Sequence, residues 1–313
     1  MSRIQTRTAL WRSASLSVED FVCAVTPHQY GVEEVSTAHH VVLVRSGVFQ
    51  RTIGTESVLA DPTHVLFFTR AQPYRVTHPI SGGDRCTIVT VPAGTLLEIG
   101  RRHDPGWPED PDAPFARRHA LSTARAGLLH HALLSGLGCG ELGRLATHEL
   151  TLELLDEVLR AGSSTNGRDR KPATSISDRA RELVEAAKLA LSERYADPPS
   201  LEELAQTLGC SPFHLCRSFS RTVGLPLRRY LDRLRLRLAL DRLAAGAPDL
   251  TALALDLGYA DHSHFTNAFR REFGHPPSSL RPGPSHRRPH KARQAPSTHG
   301  RSPEEVRANR PGC

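Results

Sequence analysis

The first part of the chain alternates short β-branched segments with turn-forming residues. Val41–Val44, His64–Thr69 and Thr87–Val91 are three such segments. The turn signals between them are Ser46-Gly47, Asp61-Pro62, Gln72-Pro73 and Ser81-Gly82-Gly83-Asp84. Frequent turns favour antiparallel strands, because parallel strands need long crossover connections. Residues 20–92 are therefore predicted to form an antiparallel barrel or sandwich, and the proline-rich residues 101–114 a polar loop.

The next segments differ from the first in periodicity and composition. Two amphipathic helices are predicted at about Ser122–Leu137 and Glu141–Arg160, where leucines recur at near-helical spacing. Residues 161–177 are rich in Gly, Ser and Thr, which is typical of an interdomain linker. Residues 283–313 contain several prolines and arginines and almost no apolar residues, so a disordered basic tail is predicted there.

A duplicated unit lies between the linker and the tail. When Leu201–Pro226 is aligned with Leu250–Pro276, identical residues recur in the same order. The matched pairs are Leu201/Leu250, Leu204/Leu253, Ala205/Ala254, Leu208/Leu257, Gly209/Gly258, Phe219/Phe269, Gly224/Gly274 and Pro226/Pro276. A shared order of this kind indicates that one structural unit occurs twice.

Each unit has the local signals of a helix, a tight turn and a second helix. In the first unit, Ser200 and Glu203 form a capping-box pattern, Gly209 ends the first helix, and Ser211-Pro212 begins the second. The second unit repeats the pattern with Asp249, Gly258 and Asp261. Small Ala205 and Ala254 allow the paired helices to cross closely. Both units are therefore predicted to be helix-turn-helix motifs.

The second helix of each unit presents polar residues outward. Leu215, Phe219, Phe265 and Phe269 occupy the inward positions. The outward positions hold Phe213, Cys216, Arg217 and Ser220 in the first unit, and His262, Ser263, His264 and Asn267 in the second. Arg can bind guanine O6 and N7, Asn can bind adenine N6 and N7, and an aromatic edge can contact a thymine methyl. The two helices thus contain residue types that recognise bases.

The segment between the units, Leu227–Ala245, is an uninterrupted run of helix formers. A helix of this length spans about 28 Å. Successive major-groove faces on one side of B-DNA lie about 34 Å apart, so such a helix can hold two recognition helices one turn apart.

Positive charge is concentrated near this segment. The chain has a formal net charge of +7, and Cys210–Leu240 contains the single acid Asp232 against Arg217, Arg221, Arg228, Arg229, Arg233, Arg235 and Arg237. A polyanion is the natural partner of such a cluster. On charge alone, a solvated helix face that only keeps the protein in solution is an equal alternative.

The stretch LEELAQTLGCSPFHLCRSFSRTVGLPLRRYLDRLRLRLALDRL, followed by LALDLGYADHSHFTNAFRREFGHPPSSLR, resembles the DNA-binding domain of AraC-type transcriptional regulators. The resemblance covers roughly residues 180–281. It implies base readout by Phe213, Cys216, Arg217, His262, Ser263, His264 and Asn267. Phosphate contacts are expected from Arg221, Arg228, Arg229, Arg270 and Arg271. Cys216 stands where members often have a larger polar residue, so weak or apolar readout is expected at that position.

The front half resembles, more loosely, the cupin-like sensor domain of many such regulators. The resemblance implies a small-molecule effector in the barrel and helices that mediate homodimerisation. Tyr74, Arg75, His78 and His64 lie on predicted strands near such a site, but none is assigned to it. Metal-binding cupins have a different histidine pattern. Adjacent His39 and His40 point to opposite faces of a strand and cannot ligate one interior ion together, so no metal and no cofactor are predicted.

Cysteine usage and hydropathy restrict the remaining classes. The six cysteines form no C-x-x-C pair and no Cys/His group at zinc spacing, so reduced, unconnected thiols are predicted. The longest uncharged stretch, Ala126–Gly140, contains His130 and His131 and is too short to span a bilayer. With no secretory signal pattern, a cytoplasmic, nucleoid-associated bacterial protein is expected.

The sequence as a whole predicts an α+β chain with five segments. These are a cupin-like sensor domain at 1–120, a helical dimerisation region at 121–160, a linker at 161–177, a double helix-turn-helix domain at 178–282 and a basic tail at 283–313. The predicted function is sequence-specific transcription regulation, non-enzymatic, on two adjacent major-groove half-sites of double-stranded DNA, with RNA polymerase as a further candidate partner. Two alternatives remain open. One is an architectural DNA-binding protein that responds to no ligand, and the other is a cupin-type metalloenzyme.

Overall fold

The computed structural model describes residues 4–24, 31–163, 177–247 and 249–281. Over these residues, two antiparallel sheets and three helices form the N-terminal part, and six helices form the C-terminal part. Most of the predicted linker (164–176) and the predicted tail (283–313) lie outside the described residues.

Ten strands build the two sheets of the N-terminal part. They are β1 (Ile4–Arg12), β2 (Ser17–Ala24), β3 (Glu33–Val35), β4 (His40–Gly47), β5 (Phe49–Ile53), β6 (Glu56–Ala60), β7 (His64–Phe68), β8 (Pro73–Thr77), β9 (Asp84–Thr90) and β10 (His119–Leu121). One sheet has the order β1-β2-β9-β4-β7-β10 and the other β3-β8-β5-β6. The described pairings are antiparallel, so the predicted antiparallel architecture is confirmed.

Strand β4 is buried on both faces, which explains its continuous apolar run. Val42 and Val44 pack between the two sheets with Phe49, Leu66 and Ile88. Val41 and Leu43 point the other way, into a core shared with the helices that cover the larger sheet. A strand covered on both sides loses the polar alternation of a half-exposed strand.

The strand region is larger than predicted, and a helix precedes the proline-rich loop. Strand β1 and the start of β2 precede residue 20, and helix α1 (Ala93–His103) includes the first three residues assigned to the loop 101–114. That part of the loop prediction is wrong because Leu96 and Ile99 provide α1 with a buried face. The Trp107 indole packs on Gly100, where an added Cβ would lie 2.1 Å from the ring.

Helices α2 (Ala124–Cys139) and α3 (Arg144–Ala161) occur within three residues of their predicted bounds. The Thr123 side chain caps α2 by accepting a hydrogen bond from the Ala126 amide. Leu133, Leu154 and Leu155 are buried against the larger sheet, so the apolar faces of these helices pack on the core of their own chain.

The C-terminal part contains the two predicted helix-turn-helix units. The helices are α4 (Asp178–Glu193), α5 (Leu201–Thr207), α6 (Pro212–Val223), α7 (Leu227–Ala244), α8 (Leu250–Asp256) and α9 (His262–Phe273), followed by a 3-10 turn at Pro277–Leu280. Two apolar cores hold them: one joins α4, α5, α6 and the start of α7, and the other joins the rest of α7 with α8 and α9. Among the described helices, none combines the length and apolar character needed to cross a bilayer.

Candidate nucleic-acid interface

The predicted caps fix the turn of the first unit. Ser200 accepts from the Glu203 amide and Glu203 accepts from the Ser200 amide, which completes the capping box of α5. Gly209 adopts a φ of +65° in the turn, and Ser211 caps α6 through the His214 amide. The cap residues thus begin and end the helices at the positions that the sequence predicts.

Helix α6 exposes the side opposite its core contacts. Leu215 and Phe219 are fully buried, whereas Phe213 is 75% exposed. Arg217 is also exposed and Cys216 is half-buried. The exposed Phe213 ring is accessible to a thymine methyl.

Helix α9 of the second unit likewise has one buried side and one exposed side. Phe265 and Phe269 are fully buried. Ser263, His264 and Asn267 are exposed and His262 is half-buried. Asp261 caps the helix through the His264 amide, and Tyr259 packs edge-on against the His264 ring at 5.3 Å between centroids. Both second helices thus present the predicted base-contacting residues on one accessible side.

The arginines of α7 do not form one free basic stripe. Arg229, Arg233 and Arg237, spaced four residues apart, face the same carboxylate on α9, Glu272. The N–O distances are 3.4 Å, 3.3 Å and 3.8 Å respectively. Because Glu272 is only 6% exposed, one buried acid holds much of the positive charge of this helix against α9.

Two further contacts tie α7 into the protein interior. Arg235 donates to the Tyr195 carbonyl at 2.7 Å and lies over the Tyr259 ring. Arg237 donates to the Ser122 carbonyl at 3.1 Å, and its burial lowers the pKa of this guanidinium to about 10. Of the arginines in the predicted basic cluster, Arg233, Arg235 and Arg237 therefore have partners inside the protein.

The remaining arginines predicted to contact phosphate lie on the surface. Arg221, Arg228, Arg270 and Arg271 are exposed, and Arg229 is half-exposed beside Glu272. Arg221 and Arg270 lie near the ends of the two recognition helices, α6 and α9.

Asp61 is the centre of one contact between the two parts of the chain. Its buried carboxylate accepts hydrogen bonds from Tyr230 Oη of α7 and, at 3.2 Å, from Ser192 Oγ of α4. Burial alone would raise the pKa of Asp61, but His64, Lys188 and Tyr230 together hold it below its ordinary value. This charge is therefore retained between the two parts.

A second contact joins strand β4 to helix α7. Arg45 donates to Asp20 at 2.9 Å within the larger sheet and to Asp241 of α7 at 2.5 Å. The His131 ring of α2 lies between the carbonyls of Leu240 and Leu280, at 3.0 Å and 2.9 Å. Sequence patterns missed the Arg45–Asp241 and His131 contacts, because their members lie more than a hundred residues apart.

A cavity of about 70 Å³ lies between the two sheets. Its wall includes Phe21, Phe49, Phe68, Arg7, Glu34 and His40. Tyr74 also lines it and donates to Glu34 at 2.9 Å. Of the other residues considered for an effector, Arg75 pairs with Glu33 on the surface and His64 bonds Asp61 at the contact with the helical part. His78 lies beside Asp84, at one end of the cavity.

His39 and His40 diverge, as their adjacent positions predict. His40 lines the cavity, and burial lowers its pKa to about 4. His39 instead accepts a hydrogen bond from the Arg70 amide and packs edge-on against Phe115.

Comparison with known proteins supports the interpretation of the helical part. Residues 204–282 match a family model described as "Helix-turn-helix domain". The chain is 32% identical over 143 residues to the HTH-type transcriptional activator RhaS of Escherichia fergusonii, an alignment that covers 46% of this chain and 48% of RhaS. The chain thus spans about half the length of this relative.

Solved structures resemble the chain more distantly. ToxT from Vibrio cholerae is 12% identical, with 85% of this chain and 97% of ToxT covered and a TM-score of 0.33. A cupin superfamily protein from Desulfitobacterium hafniense is 16% identical, with 28% and 77% covered and a TM-score of 0.24. At these TM-scores neither similarity supports a conclusion about function.

Proposed function

We propose that this chain, whose residues 204–282 form a helix-turn-helix domain of the AraC type, is a sequence-specific DNA-binding transcriptional regulator. The observation that supports this function most directly is the repeated arrangement of α6 and α9. Each helix is held by two buried apolar residues and exposes base-contacting residue types on the opposite side.

The connecting helix sets the spacing of the two recognition helices. Helix α7 has 18 residues, which corresponds to a length of about 27 Å. Successive major grooves on one side of B-DNA lie roughly 34 Å apart, which is comparable with this helix length. We assign Phe213, Cys216 and Arg217 to one half-site and His262, Ser263, His264 and Asn267 to the next.

Phosphate contacts are proposed for the surface arginines alone. Arg221, Arg228, Arg270 and Arg271 are exposed, so their guanidinium groups are accessible to a phosphate backbone. Arg229 can contribute only while it shares its charge with Glu272. Phosphate contacts fix the protein on the duplex and add affinity that does not depend on sequence.

The position of β4 supports the proposal that a small-molecule effector controls the protein. His40 and Val42 of this strand line the cavity between the sheets, and Arg45 of the same strand bonds Asp241 of α7. A ligand that shifts β4 therefore changes a contact with the helix that connects the two helix-turn-helix units. Such differential contact is what coupling between two sites requires.

Homodimerisation is also part of the proposal. We assign homodimerisation to residues 121–160, where Leu145 is 71% exposed. RNA polymerase is a further partner for a regulator of this kind. Catalysis is not part of the proposal, because the similar protein RhaS is named a transcriptional activator.

Mapping of binding sites in the bacterial cell tests the proposed function. Chromatin immunoprecipitation of the tagged full-length protein is expected to give a small set of sharp sites, and deletion of the gene is expected to change transcription next to them. Broad occupancy without transcriptional change would instead favour the architectural alternative.

A further inference from the structure

Three potential metal ligands from distant parts of the chain meet at one end of the two-sheet domain. Cys23 lies on β2, Asp84 begins β9, and His78 directly follows β8. One ligand atom from each lies within 4.8 Å of the other two. Cys23 and Asp84 are paired residues on neighbouring strands of the larger sheet, whereas β8 belongs to the smaller sheet. The cluster therefore joins the two sheets.

The cluster is buried and internally bonded. His78 Nε2 lies 2.5 Å from Asp84 Oδ1, with both side chains at most 4% exposed. The Cys23 side chain is within hydrogen-bonding reach of His78. Cys86, two residues after Asp84 on the same strand, donates from its thiol to the second carboxylate oxygen of Asp84 at 3.2 Å.

The three ligand atoms surround one point and are not arranged in a line, as they would be in a nucleophilic Cys-His-Asp relay. In a nucleophilic Cys-His-Asp relay, the sulfur and the carboxylate contact opposite nitrogens of the imidazole, which separates them by roughly 6–7 Å. Here all three ligand atoms lie within 4.8 Å of one another. Zinc ligands bonded at about 2.0–2.3 Å lie roughly 3.3–3.8 Å apart in a tetrahedron, so small side-chain rotations complete the site.

The backbone around the cluster is held tightly. Gly83 has a φ of +71°, and a Cβ added there would lie 1.7 Å from the Cys23 carbonyl oxygen. The turn before Asp84 therefore packs directly on the strand that contains Cys23. A site whose ligands are placed before binding loses less entropy when the ion binds.

We propose that Cys23, His78 and Asp84 form a binding site for Zn²⁺. Thiolate, imidazole and carboxylate are the three ligand types that proteins use for this ion. The charge of Zn²⁺ is balanced by the Cys23 thiolate and the Asp84 carboxylate. Binding displaces the thiol proton of Cys23 and the proton shared by His78 and Asp84 to solvent. Asp84 also accepts the Cys86 thiol hydrogen bond and lines the cavity, so both lie next to the proposed site.

The bound ion clamps the end of β8 to β2 and β9. The proposal is independent of DNA recognition, because none of the three ligands belongs to the helical part. Loss of metal binding and loss of DNA binding can therefore be observed separately.

Cobalt binding to the full-length, reduced and chelator-treated protein tests the proposal. We expect one Co²⁺ per chain, with the near-ultraviolet absorption of a thiolate-to-cobalt transition. Cys23→Ser and His78→Gln are expected to weaken metal binding by at least about 100-fold, because each removes a direct ligand. Cys139→Ser is the matched control, since that half-exposed thiol lies on α2, outside the cluster, and it should bind as the wild type does.

Thermal unfolding gives a second readout that needs no chromophore. Zn²⁺ is expected to raise the Tm of the wild type and of Cys139→Ser by about 5 °C or more, and to leave Cys23→Ser unchanged. Circular dichroism without metal checks that each variant folds. If a variant does not fold, the cobalt spectrum of the wild type still shows whether a thiolate binds the metal. A wild-type protein without thiolate-to-cobalt absorption, or equal binding by folded Cys23→Ser, would overturn the assignment.

Discussion

At the scale of single residues, exposure separates the two roles of arginine in the helical part. Arg217 is exposed on α6, where it can contact a base edge. Arg237 is 6% exposed and donates a hydrogen bond from α7 to the Ser122 carbonyl. The sequence could not distinguish these roles, because the partner of three α7 arginines, Glu272, lies on another helix of the following unit.

Replacing Arg217 is predicted to alter specificity. Arg217→Ala should weaken binding to the preferred sequence by about 1–3 kcal/mol and relax the preference in one half-site only. Arg228→Ala should weaken binding to all DNA sequences equally. Arg102→Ala, an exposed arginine on α1, is the control and should change neither. Titration of preferred and scrambled duplexes measures both effects. Equal losses on both duplexes for Arg217→Ala would contradict its assignment to base readout.

Replacing Glu272 is predicted to destabilise the fold. Glu272 is a buried acid that faces three arginines, and Glu272→Gln removes its negative charge. The free energy of unfolding should therefore fall by about 1–3 kcal/mol. Glu153→Gln on the exposed side of α3 is the matched control. Urea unfolding of both variants measures the difference. An unchanged stability for Glu272→Gln would show that these arginines do not depend on the buried acid.

At the scale of elements, the helix-turn-helix units were predictable and parts of the sheet domain were not. Ser200, Ser211 and Asp261 cap helices through amides three residues away, so the signal and its effect lie close together in sequence. The AraC-type resemblance is confirmed for this region. In contrast, the last turns of α1 pack against the Trp107 ring at Gly100. Neither helix periodicity nor proline content indicates this contact.

The two turn glycines offer a matched comparison within the duplicated unit. Gly209 and Gly258 both have positive φ, at +65° and +80°. A Cβ at Gly209 meets open space, whereas one at Gly258 lies 2.0 Å from the Ala196 carbonyl oxygen. Gly209→Ala should therefore lower the free energy of unfolding by about 1–2 kcal/mol, and Gly258→Ala by clearly more. Chemical denaturation measures both. Equal losses would mean that the close approach at Gly258 is not maintained.

Helix α2 supplies a pH-dependent contribution to stability. Burial, aided by Arg45, lowers the pKa of His130 to about 3. Between that pKa and the unfolded value near 6.5, the unfolded chain binds a proton that the folded chain does not, so stability falls as pH falls below about 6.5. Relative to His130→Gln, the wild type should lose about 1 kcal/mol of unfolding free energy per pH unit in this range. Urea unfolding at pH 7.5 and 5.5 measures the difference, and parallel pH dependences would contradict the neutral state of His130 in the folded protein.

At the scale of the whole molecule, polar contacts join the two-sheet N-terminal part to the helical C-terminal part. Arg45 links β4 to α7, and Asp61 links the start of β7 to α4 and α7. Strand β4, which contributes Arg45, also lines the cavity between the sheets through His40 and Val42. These polar contacts depend on the tertiary structure alone, which is why the sequence did not indicate how the two parts are joined.

Loss of the Arg45 contact is predicted to uncouple the unfolding of the two parts. Both tryptophans, Trp11 and Trp107, lie in the N-terminal part, so fluorescence reports on that part while far-ultraviolet circular dichroism reports largely on the helices. The two transitions should coincide in the wild type and diverge in Arg45→Met. Arg12→Met, which removes a surface pair with Glu19, should leave them coincident. Coincident transitions in Arg45→Met would show that this contact does not couple the parts.

The central claim is that two unlike recognition helices read two neighbouring half-sites. The most direct test is selection of binding sequences from a random duplex pool by the full-length protein at two salt concentrations. We predict an enriched motif with two unlike half-sites about one helical turn apart, retained at the higher salt. Retention of DNA without any enriched motif, lost steeply as salt rises, would show that the surface arginines bind only the phosphate backbone and would contradict the claim.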